Sequence, residues 1–219
     1  MPFYDQLAKE TQVAQASLLN APIITAALAG NVTRAQYLAF LTQAYHHVRH
    51  TVPLLMACGA RLPADMEWLR DAVAHYIQEE LGHQEWILND INAAGGDAQA
   101  VRVGEPALAT ELMVAYAYDT VTRHNPVGFF GMVYVLEGTS IQLASQLASV
   151  LEKGLDLPAN AFSYLSSHGQ LDITHMDDFR NLVNRLDKTS DQAAIVHRAN
   201  VFFRLYGDVI RTVPTESTL

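Results

Sequence analysis

Apolar residues recur at three- and four-residue spacing along nearly the whole chain, and the alternating Val, Ile and Thr runs typical of strands are nearly absent. The pattern predicts an all-α helical bundle. A first helix covers residues 3 to about 28, bent near Pro22 and stopped by Gly30-Asn31. Thr33 caps a second helix, which ends near Cys58-Gly59. Pro63 lies just inside the start of a long third helix that reaches about residue 94, where Gly95-Gly96 ends it. Residues 95–104 read as the most loop-like stretch. A fourth helix runs from Pro106 to about His124, Asn125-Pro126 breaks it, and a fifth, apolar helix continues to about Lys153. Pro158 opens a sixth. The last helices span about 159–186 and 190–212, separated by Asp187-Lys188-Thr189, with a polar tail from about residue 213. Residues 1–219 read as a single domain.

Composition narrows the partners. Half of the 219 residues are hydrophobic, enough for one substantial core. With 14 Lys plus Arg against 23 Asp plus Glu, the net charge of −9 repels phosphate backbones, so no nucleic-acid partner is expected. The single cysteine, Cys58, excludes an internal disulfide and a CxxC zinc site, and it fits a reducing cytosol. Its apolar setting favours an inert thiol over a nucleophile. Residues 1–10 carry acidic groups and no apolar h-region, and no stretch approaches 18 consecutive apolar residues. A cytoplasmic protein with no membrane partner is expected.

Metal chemistry, if present, must therefore use His and carboxylates. His168, Asp172 and His175 form HxxxDxxH, and on a helix they fall within roughly 60° of one another because each residue advances about 100°. The competing readings are an exposed polar stripe and a helix broken at Gly169. Glu80 and His83 form an ExxH pair, the half-site that di-iron bundles place on facing helices, with Asp172 and His175 as its Asp-containing counterpart. Glu79 can replace Glu80, and Asp90 lies two turns beyond His83. Glu137 stands alone in GMVYVLEGT, where a buried carboxylate needs a cation. Its alternatives are solvent or an arginine such as Arg49, Arg123 or Arg180. These six positions give three carboxylates and three imidazoles, whose charge two ferrous ions bring near neutrality. The thiolate-free N and O set suits iron or manganese, and iron is the choice. His47 and His50, one turn apart beside His46, read as hydrogen-bonded supports more than as ligands. The aromatics Tyr76, Trp86, Tyr116, Tyr118, Phe129, Phe130 and Tyr134 read as core, some of them able to line an apolar substrate cavity.

In the order Glu80 and His83, Glu137, then His168, Asp172 and His175, the chain resembles the haem-oxygenase-like di-iron oxidases and oxygenases, the iron-containing redox enzymes. These belong to the wider superfamily of TenA-type thiaminases, pyrroloquinoline quinone synthase and haem oxygenases. The resemblance implies a TenA-like bundle of about seven to eight helices and a site whose catalytic and metal residues are these six. Glu137 would bridge two Fe ions, one taking Glu80 and His168, the other His83, Asp172 and His175. Many members space the third-helix Glu and His farther apart than here. It further implies O2 as co-substrate, a small organic substrate, an external reductant and a homodimer. The segment YLAFLTQAY, residues 37–45, supports the superfamily, but Ala44 stands where thiaminases of this type need an Asp. No histidine precedes His46, whereas haem oxygenases take their proximal ligand from the first helix. The readings that compete with an iron oxidase are a metal-free TenA-like or quinone-synthase-like enzyme and a non-catalytic ligand-binding bundle.

Overall fold

The computed structural model describes residues 1–215, with the side chains of Ser145 and of residues 168–174 outside the description. Helices dominate as the periodicity predicts, and no strand occurs among the described residues. Eleven α-helices occur among them, more than the seven to eight expected. They are α1 (Phe3–Leu19), α2 (Pro22–Leu28), α3 (Arg34–Val48), α4 (Thr51–Arg61), α5 (Glu67–Glu80), α6 (His83–Ala93), α7 (Ala98–Val103), α8 (Leu108–Arg123), α9 (Phe130–Gly154), α10 (Ser163–Val183) and α11 (Thr189–Arg211).

The surplus comes from breaks inside three expected helices and from one unexpected short helix. Pro22 begins α2 instead of bending one continuous helix, because a proline with no N–H is accommodated in a first turn. The second expected helix divides at Arg49-His50, and Pro53 occupies the first turn of α4 for the same reason. The third divides at Leu81-Gly82, where Gly82 takes a left-handed φ of +91° that a side chain would strain. Inside the expected loop, Asp97 caps α7 by accepting a 2.9 Å hydrogen bond from the Ala100 N–H. Thr33 caps α3 as expected, in a reciprocal capping box with Gln36. The backbone of α10 is helical through Gly169, against the alternative of a break there.

The long apolar α9 is central and packs against both α10 and α11, while α1 covers α11, α4 packs on α5, and α3 on α6. Gly131 lets α9 approach α11 closely, since a Cβ there would lie 2.6 Å from the Ala199 nitrogen and 2.8 Å from the Ile195 oxygen. The larger apolar cluster includes Leu7, Leu54, Phe129, Phe202 and Phe203. Each fully buried side chain of this kind contributes about 2 kcal/mol of transfer free energy. The smaller cluster joins Tyr37, Leu41, Ile87, Leu151 and Phe162. The stretch 126–144 is long and apolar enough to cross a membrane by length and composition, but 67% of its window is buried inside the bundle, as in a core helix.

Asp90 ties α6 to α10. It is fully buried and accepts hydrogen bonds from the Ser163 hydroxyl, from the Ser163 N–H at 3.2 Å and from the Tyr164 N–H at 2.8 Å. These are first-turn donors that the helix itself leaves unmatched. Burial raises its carboxyl above the usual range, and these bonds oppose the rise. Asp90 is a cap for α10, which corrects its reading as a spare ligand two turns beyond His83.

Candidate metal centre

The centre forms where α5, α6, α9 and α10 meet. Glu80 is the last residue of α5 and His83 the first of α6. The turn through Gly82 sets the His83 Nδ1 3.1 Å from the Glu80 carboxylate. The ExxH spacing is thus not one turn of a continuous helix, a correction to the sequence reading. Trp86, one turn into α6, packs on the His83 ring at 4.1 Å between centroids and fixes its plane.

Glu80, Glu137 and His175 converge from three helices, and one ligand atom from each lies within 4.8 Å of the other two. His175 Nδ1 is 3.5 Å from Glu137, and its Nε2 is 3.3 Å from Glu79. Tyr76 meets the His175 ring edge-on at 5.3 Å. Glu80, His83, Glu137 and His175 are all 2–7% exposed, which removes the alternative that Glu137 faces solvent. The arginines considered as its partners serve elsewhere. Arg123 pairs with Asp119, Arg180 pairs with Asp177 and covers Tyr4, and Arg49 lies over Tyr45 and donates to His50. His168 and Asp172 lie outside the described side chains.

Two buried carboxylates this close repel each other unless a proton or a cation lies between them. The donor set, two carboxylates and an imidazole without thiolate, fits iron or manganese. Glu79 and Glu80 were alternatives in the sequence, yet both are used: Glu80 in the convergent three, Glu79 half-exposed against His175. Tyr76 was read with the core aromatics, some of them able to line a cavity, and it both packs against the core and lines the two cavities. Its position four residues before Glu80, one turn away, was the available signal for its place at the site.

The second-helix histidines divide. His47 lines an apolar cavity shared with Glu80 and Glu137. His50 contacts the Tyr118 hydroxyl at 3.1 Å, and burial, then Arg49, holds both His46 and His50 below the ordinary histidine range. Neither belongs to the convergent group. Cys58 is buried with its thiol donating to the Pro126 carbonyl, and burial pushes its pKa up to about 12. It is an inert core thiol, as its apolar setting suggested.

Two cavities adjoin the centre. The first is largely apolar and carries Glu80 and Glu137 in its wall. The second, lined by Glu79, His175, Asp178, Asn181 and Arg185 among others, meets the first at Tyr76, Val133 and Glu137.

Solved structures share this architecture. A domain of unknown function with a haem oxygenase-like fold from Shewanella denitrificans OS217 is 24% identical, with a TM-score of 0.85 over 97% of this chain and 92% of that one. A TenA homologue from P. horikoshii OT3 is 8% identical, with a TM-score of 0.80 over 97% of this chain and 98% of that one. Haem oxygenase from Leptospira interrogans is 16% identical, with a TM-score of 0.77 over 97% of this chain and all of the other. At these identities the likeness establishes the fold, which is haem oxygenase-like and TenA-like. No curated protein matches the chain in sequence. A family model described as iron-containing redox enzyme matches residues 38–207.

Proposed function

Since the chain belongs to the iron-containing redox enzyme family, we propose that it is a non-haem, di-iron oxidase or oxygenase that uses O2 on a small organic substrate. The observation that carries this reading is the buried convergence of Glu80, Glu137 and His175 within 4.8 Å. Haem chemistry is disfavoured because α1 and α2 contain no histidine, and thiamine chemistry because the buried residue 44 is alanine.

In this reading Glu80, Glu137 and His175 hold the metal, and His83, His168 and Asp172 complete the set. Reduced iron, when bound, supplies electrons and open coordination positions for O2 chemistry. The chain's own groups do the rest. Glu137 stands in the wall between the two cavities, where its carboxylate can serve both sides of the centre. The His175 ring lies between two carboxylates, with Nε2 3.3 Å from Glu79 and Nδ1 3.5 Å from Glu137. Trp86 and Tyr76 restrict the rings of His83 and His175 to one orientation. The apolar wall of the first cavity keeps bulk water from the reacting end of the substrate.

A second reading draws on one contact. The Glu80–His83 pair at 3.1 Å is an acid–base couple able to move a proton without metal, as a TenA-like or quinone-synthase-like enzyme would require. It predicts activity that survives chelation.

Metal content after anaerobic purification from iron-supplemented cells separates the two. Near-stoichiometric iron in the wild type, lost in Glu137→Gln, His175→Ala and Asp172→Ala, supports the iron reading. A wild type without iron overturns it.

A further inference from the structure

The two cavities that meet at Glu137 differ in what they offer an approaching dication. In the first, the acids among the described residues are Glu80 and Glu137, which belong to the centre itself. The rest of its wall is largely carbon, against which an ion would lose its hydration and gain little in exchange. The second cavity is lined by His75, Glu79, Asp178 and Asn181 as well as by the buried Glu137 and His175. His75, Asp178 and Asn181 are exposed, so its oxygen and nitrogen atoms begin at the solvent. Its carboxylates, Glu79, Glu137 and Asp178, outnumber its one described cation, Arg185, whose guanidinium lies over the Trp68 ring at 4.2 Å. That balance attracts a cation.

One carboxylate joins the rim to the centre. Glu79 follows His75 by one turn of α5, with Oε1 3.4 Å from the His75 Nε2 and Oε2 3.3 Å from the His175 Nε2. Side-chain exposure falls along this series from 70% at His75 to 35% at Glu79 and 5% at His175. The His175 Nδ1 lies in turn 3.5 Å from Glu137. Donors at these separations can share one ion at bond lengths of about 2.1 Å, so an ion can gain the next donor before it gives up the last.

We propose that His75 and Glu79 form a capture site for divalent metal at the mouth of the second cavity and pass the ion to His175 and Glu137, the route by which the centre is loaded and emptied. The route rests on the reading that Glu80, Glu137 and His175 hold the metal. Glu79 belongs to the path and not to the resident set. The two roles differ measurably. Loss of a donor on the path raises a barrier common to entry and exit, so both rates fall by one factor and Kd is unchanged. Loss of a resident ligand speeds release and weakens Kd.

The test follows metal uptake and release, with no turnover. Metal-free full-length protein is mixed anaerobically with Co²⁺, followed by its visible absorption, or with Fe²⁺, followed as bound iron after rapid desalting, and excess EDTA then drives release. Glu79→Gln should slow uptake and release about tenfold and His75→Gln about threefold, with final occupancy and Kd as in the wild type. Ala72→Phe, which narrows the second cavity and keeps every donor, should also slow both rates. Ala144→Phe in the first cavity and Glu111→Gln, which removes an exposed charge elsewhere, should load at the wild-type rate. The three route variants bear on the proposal independently, so loss of fold in one leaves the other two to decide. Wild-type rates in the route variants, or slowing by Ala144→Phe alone, overturn the proposal. Faster release with a weakened Kd in Glu79→Gln also overturns it and makes Glu79 a resident ligand. A wild type that binds neither ion removes the metal reading and the route with it, whereas full occupancy reached at one rate by every variant removes the route alone.

Discussion

Glu80 and His83 face each other at 3.1 Å across a break between two helices, and the left-handed Gly82 between them makes that contact. A continuous helix would carry both side chains on one face with the backbone straight. Here the chain turns, and α6 leaves in a direction set by one residue without a side chain. Gly82→Ala should therefore cost about 1 kcal/mol by forcing a Cβ into the left-handed region. Urea unfolding measures the loss, and iron content measured in parallel should fall because Glu80 is displaced. Unchanged values for both would show that the turn tolerates a side chain.

Asp90 gives a second, independent handle. Asp90→Ala leaves the half-buried Ser163 and Tyr164 donors without their acceptor and should cost about 2 kcal/mol. Asp90→Asn keeps an oxygen at the cap and removes a carboxyl whose charged form burial disfavours, so it should cost less than half as much. Equal losses in thermal unfolding for the two variants would rule out the capping role.

His46 and His50 set a pH dependence. Burial, then Arg49, lowers both below the ordinary histidine value, so the unfolded chain takes up more protons than the folded one as pH falls through about 6.5. Their contribution to stability is present above that value and is lost below it. Metal-free protein should melt at a lower temperature near pH 5 than near pH 7.5. His50→Gln should narrow the gap, and an identical gap in that variant would assign the dependence to other groups.

Cys58 should be silent in the folded protein. With its pKa pushed up to about 12 and no exposed surface, alkylation by iodoacetamide near pH 8 should run about a thousandfold slower than for a free thiol. Full reactivity should return in denaturant. Rapid labelling of native protein, followed by mass spectrometry, would contradict the buried placement.

The periodicity carried the helical class because packing in a bundle needs one apolar face per helix, and that need is written residue by residue. The breaks were harder to read. Pro53 and Gly82 each act through a local backbone requirement, and nothing in the apolar spacing changes across either position. Glu137 was legible because a carboxylate among Val, Leu and Tyr has so few neutral explanations. Asp90 was not, since its donors lie 73 and 74 residues away and no local pattern reveals a long-range cap. Tyr76 was hidden by the ordinary role of aromatics, which fill cores far more often than they wall a site.

The three converging residues come from positions 80, 137 and 175, and the last sits on a helix whose start is fastened to α6 by Asp90. During synthesis, a nascent chain ending before position 175 holds two of the three donors, with nothing to bring the third helix home. If the centre takes metal as proposed, its loading waits for the finished fold, because no shorter nascent chain presents all three donors.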